Sequence, residues 1–201
     1  MGHALTKIFI CYRREDSKYA TGRIYDRLEH HFGRGQVFMD VDDIPFGVDY
    51  RDWLDRQIRD SALVLAVIGR DWLSAADPKQ GRRLDAPRDF VRTEIKIALD
   101  RNIPLIPILL EGAAMPGKDD LPAAIRPLAY RNAARVHAAG GEFRGHMERL
   151  IRGIQWQLDQ TAAPAPTQQT TAPSPPGPKE ADGRNPRPGH RSERLARPPR
   201  R

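Results

Sequence analysis

ALVLAVI, residues Ala62 to Ile68, decides the fold, because its consecutive apolar residues contain no polar break. A strand with one face in water alternates apolar and polar residues, so this run predicts a strand that is covered on both faces. Strands of that kind are typical of parallel sheets that lie between two layers of helices.

Three further apolar runs extend the predicted sheet. KIFICY (Lys7 to Tyr12) and IPLIPILL (Ile103 to Leu110) are short and apolar, and QVFM (Gln36 to Met39) is a shorter candidate. Pro104 and Pro107 have no N–H to donate to a neighbouring strand, so they place their run nearer the edge of the sheet.

Between the strands, apolar residues recur with the three-to-four spacing of helices. Ser17 to Phe32 predicts one helix, and Ser74 to Ala86 predicts a polar surface loop before a helix that Asp85 and Pro87 help to start. Three more helices are marked by the sets Tyr50, Trp53, Leu54 and Ile58; Val91, Ile95, Ala98 and Leu99; and Phe143, Met147, Leu150, Ile151, Ile154 and Leu158.

Strands that alternate with helices need long crossover connections, and such connections make the sheet parallel. We therefore predict an α/β fold of the flavodoxin-like type, a three-layer sandwich around a five-stranded parallel sheet. In this topology the strand order reverses between the first and third strands, and ligands bind outside their carboxyl ends. The candidate site then comprises Tyr12, Arg13 and Arg14 after the first strand and Gly69 to Trp72 after the third.

The C-terminal stretch differs in composition from the rest of the chain. Residues 161–201 contain no Phe, Trp or Tyr, Leu195 is their only large aliphatic residue, and they hold 10 of the 18 prolines. Such a stretch buries too little apolar area to offset its chain entropy. We predict a domain over residues 5–160 and a disordered tail over residues 161–201.

The same tail accounts for five of the seven net positive charges. It has no aromatic residues for base stacking, so we expect a solvated arm without specific nucleic-acid binding. Weak contact with RNA, with an acidic membrane or with an acidic partner stays open.

Cysteine and hydropathy patterns concern the compartment. Cys11 is the only cysteine, so no intrachain disulfide forms and a reducing compartment is expected. No apolar run approaches the roughly 18 residues of a membrane span, and the N-terminus lacks the long apolar stretch of a secretory signal. We expect a cytoplasmic protein.

Several catalytic motifs are missing from the sequence. It contains no GxxxxGK[ST] phosphate loop, no GxSxG, no HExxH and no CxxC pair. A phospho-receiver domain shares this topology but needs an aspartate at the end of the third strand, where this chain has Ile68 and Gly69.

Residues beside the predicted crevice have two interpretations each. Arg13 and Arg14 suit bidentate contact with phosphate or carboxylate, or they form a solvated basic turn. Trp72 either stacks on a ligand ring or plugs the top of the sheet. Glu94 has no cationic residue three or four positions away on its helix, and spacing alone favours a surface group over a site residue.

The loop from Asp40 to Gly47 is acidic and then turns at Pro45 and Gly47. Phe46 is expected to be exposed at its tip, either as an anchor for a partner or as an ordinary exposed apolar residue.

Four segments resemble Toll/interleukin-1 receptor (TIR) domains. KIFICYRRED (Lys7 to Asp16) resembles their opening box, and VFMDVDDIPFGVDY (Val37 to Tyr50) resembles their second box with its following loop. VIGRDWL (Val67 to Leu73) and DFVRTEIKIAL (Asp89 to Leu99) resemble the third strand and the next helix of bacterial TIR proteins. The segments occur in the family's order along the chain.

The resemblance implies a chemistry. In TIR domains that are enzymes, a glutamate of the motif WxxxE breaks the bond between nicotinamide and ribose, and Glu94 occupies the matching place. The chain is then an NAD+ glycohydrolase or cyclase, with NAD as its substrate and with no resident cofactor or metal. A carboxylate suits this reaction because it stabilises the oxocarbenium-like transition state.

The resemblance also implies the residues that contact NAD and other TIR domains. Arg13 and Arg14 would face the pyrophosphate, Trp72 and Phe90 would flank the rings, and the loop with Asp40 and Phe46 would shape the entrance next to Tyr12. Phe90 stands where many NAD-cleaving members have tryptophan, and Asp43 stands where the animal axon-degeneration enzyme has lysine.

Three interpretations of function follow. In the first, the enzyme acts in signalling or defence as a homo-oligomer, after TIR domains assemble through the loop Ile44 to Val48. In the second, the chain is a non-catalytic interaction adaptor that uses the same loop. In the third, it is a bacterial effector delivered to a host cell.

Overall fold

A computed structural model describes residues 7–39 and 46–162, apart from the side chains of Tyr50, Arg51 and Ala162. The predicted tail therefore lies outside the described residues, except that its first two residues belong to a helix. The loop residues Asp40 to Pro45 also lie outside them.

The main sheet has five parallel strands and confirms the flavodoxin-like α/β prediction. The strands are β1 (Ile8–Cys11), β2 (Val37–Met39), β3 (Leu63–Ile68), β6 (Leu105–Leu110) and β7 (Ala134–Val136), and a separate hairpin supplies β4 and β5. The spatial order in the main sheet is β2-β1-β3-β6-β7, so the order reverses between β1 and β3 as expected. The central β3 is buried along its whole length, as its unbroken apolar run predicts.

Helices cover both faces of the sheet. They are α1 (Arg14–Phe32), α2 (Tyr50–Arg59), α3 (Phe90–Asp100) and α4 (Phe143–Ala162), with 3-10 turns at Arg83–Asp85, Lys118–Asp120 and Ala123–Tyr130. Helix α1 begins three residues before the predicted start at Ser17. Within the described part of the chain, no helix is long and apolar enough to cross a membrane.

Alternation along β1 divides the core into two halves. Ile8 and Ile10 pack with residues of α1 and α4 on one face, whereas Phe9 and Cys11 pack with residues of α2 and α3 on the other. Successive side chains of a strand point to opposite faces, so β1 contributes to both halves. We call these faces the α1/α4 face and the α2/α3 face.

Ile103 to Leu110 contains β6, which lies nearer the edge than the central β3, as predicted, but is not itself an edge strand because it lies between β3 and β7. The amide of Glu111 donates to Val136 of β7, so alternation turns Pro107 towards β7 as well. The ladder with β7 begins only at Ile108, opposite Ala134. Pro107 therefore lies just before this ladder, at a position where no backbone N–H is needed to bind β7.

The polar segment from Ser74 to Ala86 contains more structure than a plain loop. Two short antiparallel strands, β4 (Ala76–Asp77) and β5 (Gly81–Arg82), form a hairpin within it. Asp77 stabilises the turn by accepting hydrogen bonds from the amides of Lys79 and Gln80 at 2.8 and 3.0 Å. Leu84, in the turn that follows, is buried in the core of the α2/α3 face.

Candidate functional site

A buried ion pair joins the end of β1 to the start of α3. The Arg13 guanidinium donates from Nη1 to Asp89 Oδ2 at 3.0 Å and from Nη2 to Asp89 Oδ1 at 3.2 Å. The two side chains are 1% and 2% exposed. Alternation explains the direction, because Arg13 follows Phe9 and Cys11 towards the α2/α3 face.

Asp89 also caps α3. Its Oδ1 accepts a hydrogen bond from the amide of Arg92 at 3.0 Å, and its carbonyl accepts one from the Thr93 hydroxyl at 2.8 Å. An aspartate directly before a helical apolar pattern is a known start signal. The sequence interpretation placed the start signal at Asp85 and Pro87 instead, but Asp85 lies in the preceding turn and pairs with Arg82.

Arg83 extends this ion pair towards the surface. Its Nη1 lies 3.1 Å from Glu15 Oε1, and its Nε lies 3.7 Å from Asp89 Oδ2. The pKa of Glu15 is lowered, chiefly because its carboxylate accepts a hydrogen bond from the backbone N–H of Glu15 itself. The positive charge of Arg83 lowers it further. Arg13, a residue of the first turn of α1, a residue of the turn before α3 and the residue that caps α3 are thus linked in one network of charges.

Glu94 lies on the buried side of α3, one turn beyond Phe90. It is 1% exposed and shares that side with Val91, Ile95 and Ala98. The interpretation of Glu94 as a surface group, which spacing alone favoured, is therefore wrong. The Arg13–Asp89 pair fixes the first turn of the helix that carries this carboxylate.

The other predicted site residues are distributed unevenly. Arg14 is exposed at the first position of α1. Phe90 is 47% exposed and lines two cavities, one between α2 and α3 and one beside the hairpin. Phe46 is fully exposed, as expected. Asp40 lies outside the described residues.

Trp72 and Tyr12 are core residues. Trp72 is completely buried on the α2/α3 face, which agrees with the interpretation that it plugs the top of the sheet. Tyr12 is 4% exposed and packs on the α1/α4 face, opposite the side towards which Arg13 points. The structure thus brings Arg13 to the helix of Phe90 and Glu94, and it places the Tyr12 ring across the sheet from them.

The roles of two carboxylates, Asp89 and Asp16, were not predicted from the sequence. Asp89 was not recognised as the partner of Arg13, since 76 residues separate them. Asp16 accepts hydrogen bonds from the amides of Gly69 and Asp71, both at 2.9 Å, and so ties α1 to the loop after β3. A weak signal existed for both, because each carboxylate lies at the start of a helix.

The strand order and the residues gathered at its carboxyl edge define a flavodoxin-like α/β domain. Within that class the chain belongs to the TIR domain family, whose model matches residues 8–151.

Solved structures agree on the fold. The chain is similar to the TIR domains in the structure of the activated Roq1 resistosome, which directly recognises the pathogen effector XopQ. The TM-score is 0.55 at 12% sequence identity, over 74% of this chain and 99% of that chain. At this identity the likeness shows the fold alone. No curated protein sequence matches the chain.

Proposed function

We propose that this protein is an NAD+ glycohydrolase or cyclase that cleaves the nicotinamide–ribose bond after TIR domains assemble. The observation that carries this proposal is the position of Glu94, whose side chain is only 1% exposed on the helix after the third strand. Sequence spacing favoured a solvated group there, and the burial of this carboxylate instead fits a residue with a functional role.

The chemistry needs one well-placed negative charge. Cleavage leaves positive charge on the ribose as nicotinamide departs, and a carboxylate close to that carbon stabilises the charge. Exclusion of water strengthens the interaction because the local dielectric constant is low. Glu94 must become accessible before a substrate contacts it, and rearrangement during assembly gives a physical reason for such a change.

The surrounding residues divide the work of binding. Phe90 is half-exposed at the rim, and we assign its ring to stacking on the substrate. Arg14 is exposed at the start of α1, where the helix dipole also favours a phosphate group. Arg13 is engaged with Asp89, so we assign phosphate contact to Arg14 and support of α3 to Arg13.

The test is nicotinamide release from NAD at a protein concentration that favours assembly. Glu94→Gln keeps the shape of the side chain and removes its charge, and Glu148→Gln on α4 is the matched control with a side chain that is 45% exposed. We expect release to fall at least about 100-fold for Glu94→Gln, the range typical of a lost charge-stabilising group. The control should release nicotinamide at the wild-type rate.

Equal release from wild type and Glu94→Gln would refute the assignment of Glu94. Release from neither protein, in samples shown to assemble, would support the interaction adaptor instead. One observation favours that second candidate. Phe46 is fully exposed and Val48 is 39% exposed on the same loop, as expected for a partner contact.

A further inference from the structure

A separate cavity, distinct from the two that Phe90 lines, lies at the carboxyl edge of the sheet on the α1/α4 face. Its volume is about 600 Å³, within the range of small-molecule sites. Its lining comes from α1 and from the segments that follow β3, β6 and β7. Ligands of flavodoxin-like folds bind along this edge, but Glu94 and α3 belong to the other face.

Hydrogen bonds fix the wall formed by α1 and the loop after β3. Both oxygens of Asp16 are used, one by the amide of Gly69 and the other by the amide of Asp71. The approach is so close that a Cβ on Gly69 would lie 2.6 Å from Cγ of Asp16. Burial raises the pKa of Asp16, against the effect of the two amides.

The segments after β6 and β7 are joined in the same way. Glu111 Oε1 accepts hydrogen bonds from the amides of Ala138 and Ala139 at 2.6 and 3.2 Å. The Glu111 carbonyl accepts two hydrogen bonds from Arg70, both at 3.3 Å. The backbone of Glu111 has a φ of 47°, in the left-handed region that residues other than glycine rarely adopt. Such strain persists where surrounding contacts hold it, and it is concentrated at functional sites.

Arg23 connects α1 with the segment after β7. It donates from Nη1 to the carbonyl of Ala138, and its guanidinium lies 4.3 Å from the centre of the Phe143 ring. The cavity is thus surrounded by segments that are tied to one another. A site of this kind is preorganised, so a ligand binds without first ordering the loops.

The lining holds three carboxylates and two guanidinium groups, so the donors left to a ligand, rather than the net charge, decide which class of ligand it suits. Asp16 and Glu111 are already engaged by two backbone amides each, and Asp71 is exposed to water. Arg23 and Arg70 each carry five N–H donors, and the hydrogen bonds described above use one donor of Arg23 and two of Arg70.

The helices next to the cavity add positive potential. Asp16 belongs to the first turn of the 19-residue α1, and the 20-residue α4 begins four residues after Ala139. The positive ends of both helix dipoles therefore lie at this edge of the sheet. Ala20, Leu110 and Ala138 supply an apolar surface between the charged groups.

We propose that this cavity binds a small organic anion, with an apolar body against Leu110 and an acidic group between Arg23 and Arg70. The proposal is independent of NAD cleavage, because Glu94 takes no part in the cavity. Carboxylates and phosphates share the chemistry that two guanidinium groups recognise.

The test uses 8-anilinonaphthalene-1-sulfonate, an aromatic anion, in fluorescence titrations of the full chain. We expect saturable binding that weakens as salt is added, and a loss of affinity of about tenfold or more in Arg23→Gln/Arg70→Gln, as for lost hydrogen bonds to a charged group. Arg152→Gln, an exposed change on α4 outside the cavity, is the control and should bind like wild type. Glu94→Gln should also bind normally, which separates this site from the proposed catalytic one.

Competition then separates the two sources of the acidic group. Displacement of the probe by benzoate indicates a carboxylate ligand, and displacement by AMP indicates a phosphate ligand. Either result supports the proposal. Equal affinity in the double variant and in wild type, with thermal unfolding unchanged, would overturn it, as would preferential binding of 1-naphthylmethylammonium, a cation of similar size.

Discussion

Glu15 and Asp16 are adjacent in the first turn of α1, yet their carboxylates serve opposite faces of the sheet. Glu15 reaches Arg83 and, through it, the Arg13–Asp89 pair at the start of α3. Asp16 reaches the backbone of the loop after β3 beside the cavity. On the first face charged side chains pair with one another, from the exposed Glu15 to the buried Arg13–Asp89 pair. On the second face carboxylates bind backbone amides around an open cavity.

The difference gives a physical reason why the two faces suit the two kinds of site proposed above. A buried bidentate ion pair fixes a helix firmly, because removal of either partner leaves an uncompensated charge. Carboxylates that hold loop amides leave side chains such as Arg23 and Arg70 at the surface, where a ligand can approach. The α2/α3 face is therefore suited to hold a catalytic residue, and the α1/α4 face is suited to admit a ligand.

The largest expected effect follows from breaking the ion pair on the α2/α3 face. Arg13→Ala should lower the free energy of unfolding by about 3–5 kcal/mol, the usual range when one member of a buried pair is removed. Urea unfolding measures the change. Arg144→Ala is the control, because the Arg144–Glu148 pair is 85% and 45% exposed and should contribute less than about 1 kcal/mol.

A double variant sharpens the same experiment. Arg13→Met/Asp89→Asn removes both charges but keeps an acceptor that can cap α3, so it should recover most of the lost stability. If the single variant Arg13→Ala lost no more stability than Arg144→Ala, Arg13 and Asp89 would not form the buried pair described above.

The second effect concerns the close approach on the cavity side. Gly69→Ala should reduce stability by about 1–3 kcal/mol, because the added methyl group would collide with the Asp16 carboxylate. Gly22→Ala in α1 has open space around the new Cβ and should instead stabilise the helix by about 0.5–1 kcal/mol. Thermal unfolding measures both effects. Unfolding temperatures that shifted in the same direction in Gly69→Ala and Gly22→Ala would contradict this account.

Part of this arrangement was predictable from the sequence. The apolar run of β3 predicts a strand covered on both faces. The alternation of strands and helices predicts a parallel sheet, and the flavodoxin-like topology predicts that its order reverses between the first and third strands. Strand β7 was missed because its three residues include the exposed Arg135 and carry no clear pattern. The prolines place β6 nearer the edge, and β6 is the strand next to the edge strand β7. Pro107 is tolerated in this position because the ladder with β7 begins only at Ile108.

The candidate site was less accessible to the same reasoning. Helical spacing shows which residues share the side of a helix that holds Glu94, but not what covers that side. The resemblance to TIR domains singled out Glu94, and the structure then showed its burial. The role of Arg13 depends on Asp89, and a contact across 76 residues leaves no local signal.

The third prediction concerns pH and the two adjacent acids of α1. The pKa of Glu15 is lowered by its own backbone N–H and by Arg83, whereas burial raises the pKa of Asp16. Carbon-13 titration of the carboxyl groups should therefore give Glu15 a pKa below its ordinary value of about 4.3 and Asp16 one above about 3.9.

Opposite pKa shifts have opposite effects on stability. At a pH between the folded and the unfolded pKa of Glu15, the unfolded chain binds more protons than the folded chain. The contribution of Glu15 to stability is therefore lost as pH falls through its folded pKa. For Asp16, the folded chain binds more protons, so its contribution is lost as pH rises through the folded pKa. Glu15→Gln and Asp16→Asn should therefore alter the slope of stability against acidic pH in opposite directions, and changes of equal sign would contradict the assignment.

The smallest effect on folding is expected at Phe46, which belongs to neither side of the comparison. Its side chain is fully exposed, so Phe46→Ser should change the free energy of unfolding by less than about 0.5 kcal/mol. Under the proposed function the same variant should weaken assembly, because an exposed aromatic residue supplies much of the energy of a contact. Light scattering over a concentration series, with the exposed Tyr130→Ser as control, separates the two effects. If Phe46→Ser assembled as well as wild type, the contact would lie elsewhere on the domain. That result would leave the proposed role of Glu94 unaffected, because the nicotinamide-release experiment tests it separately.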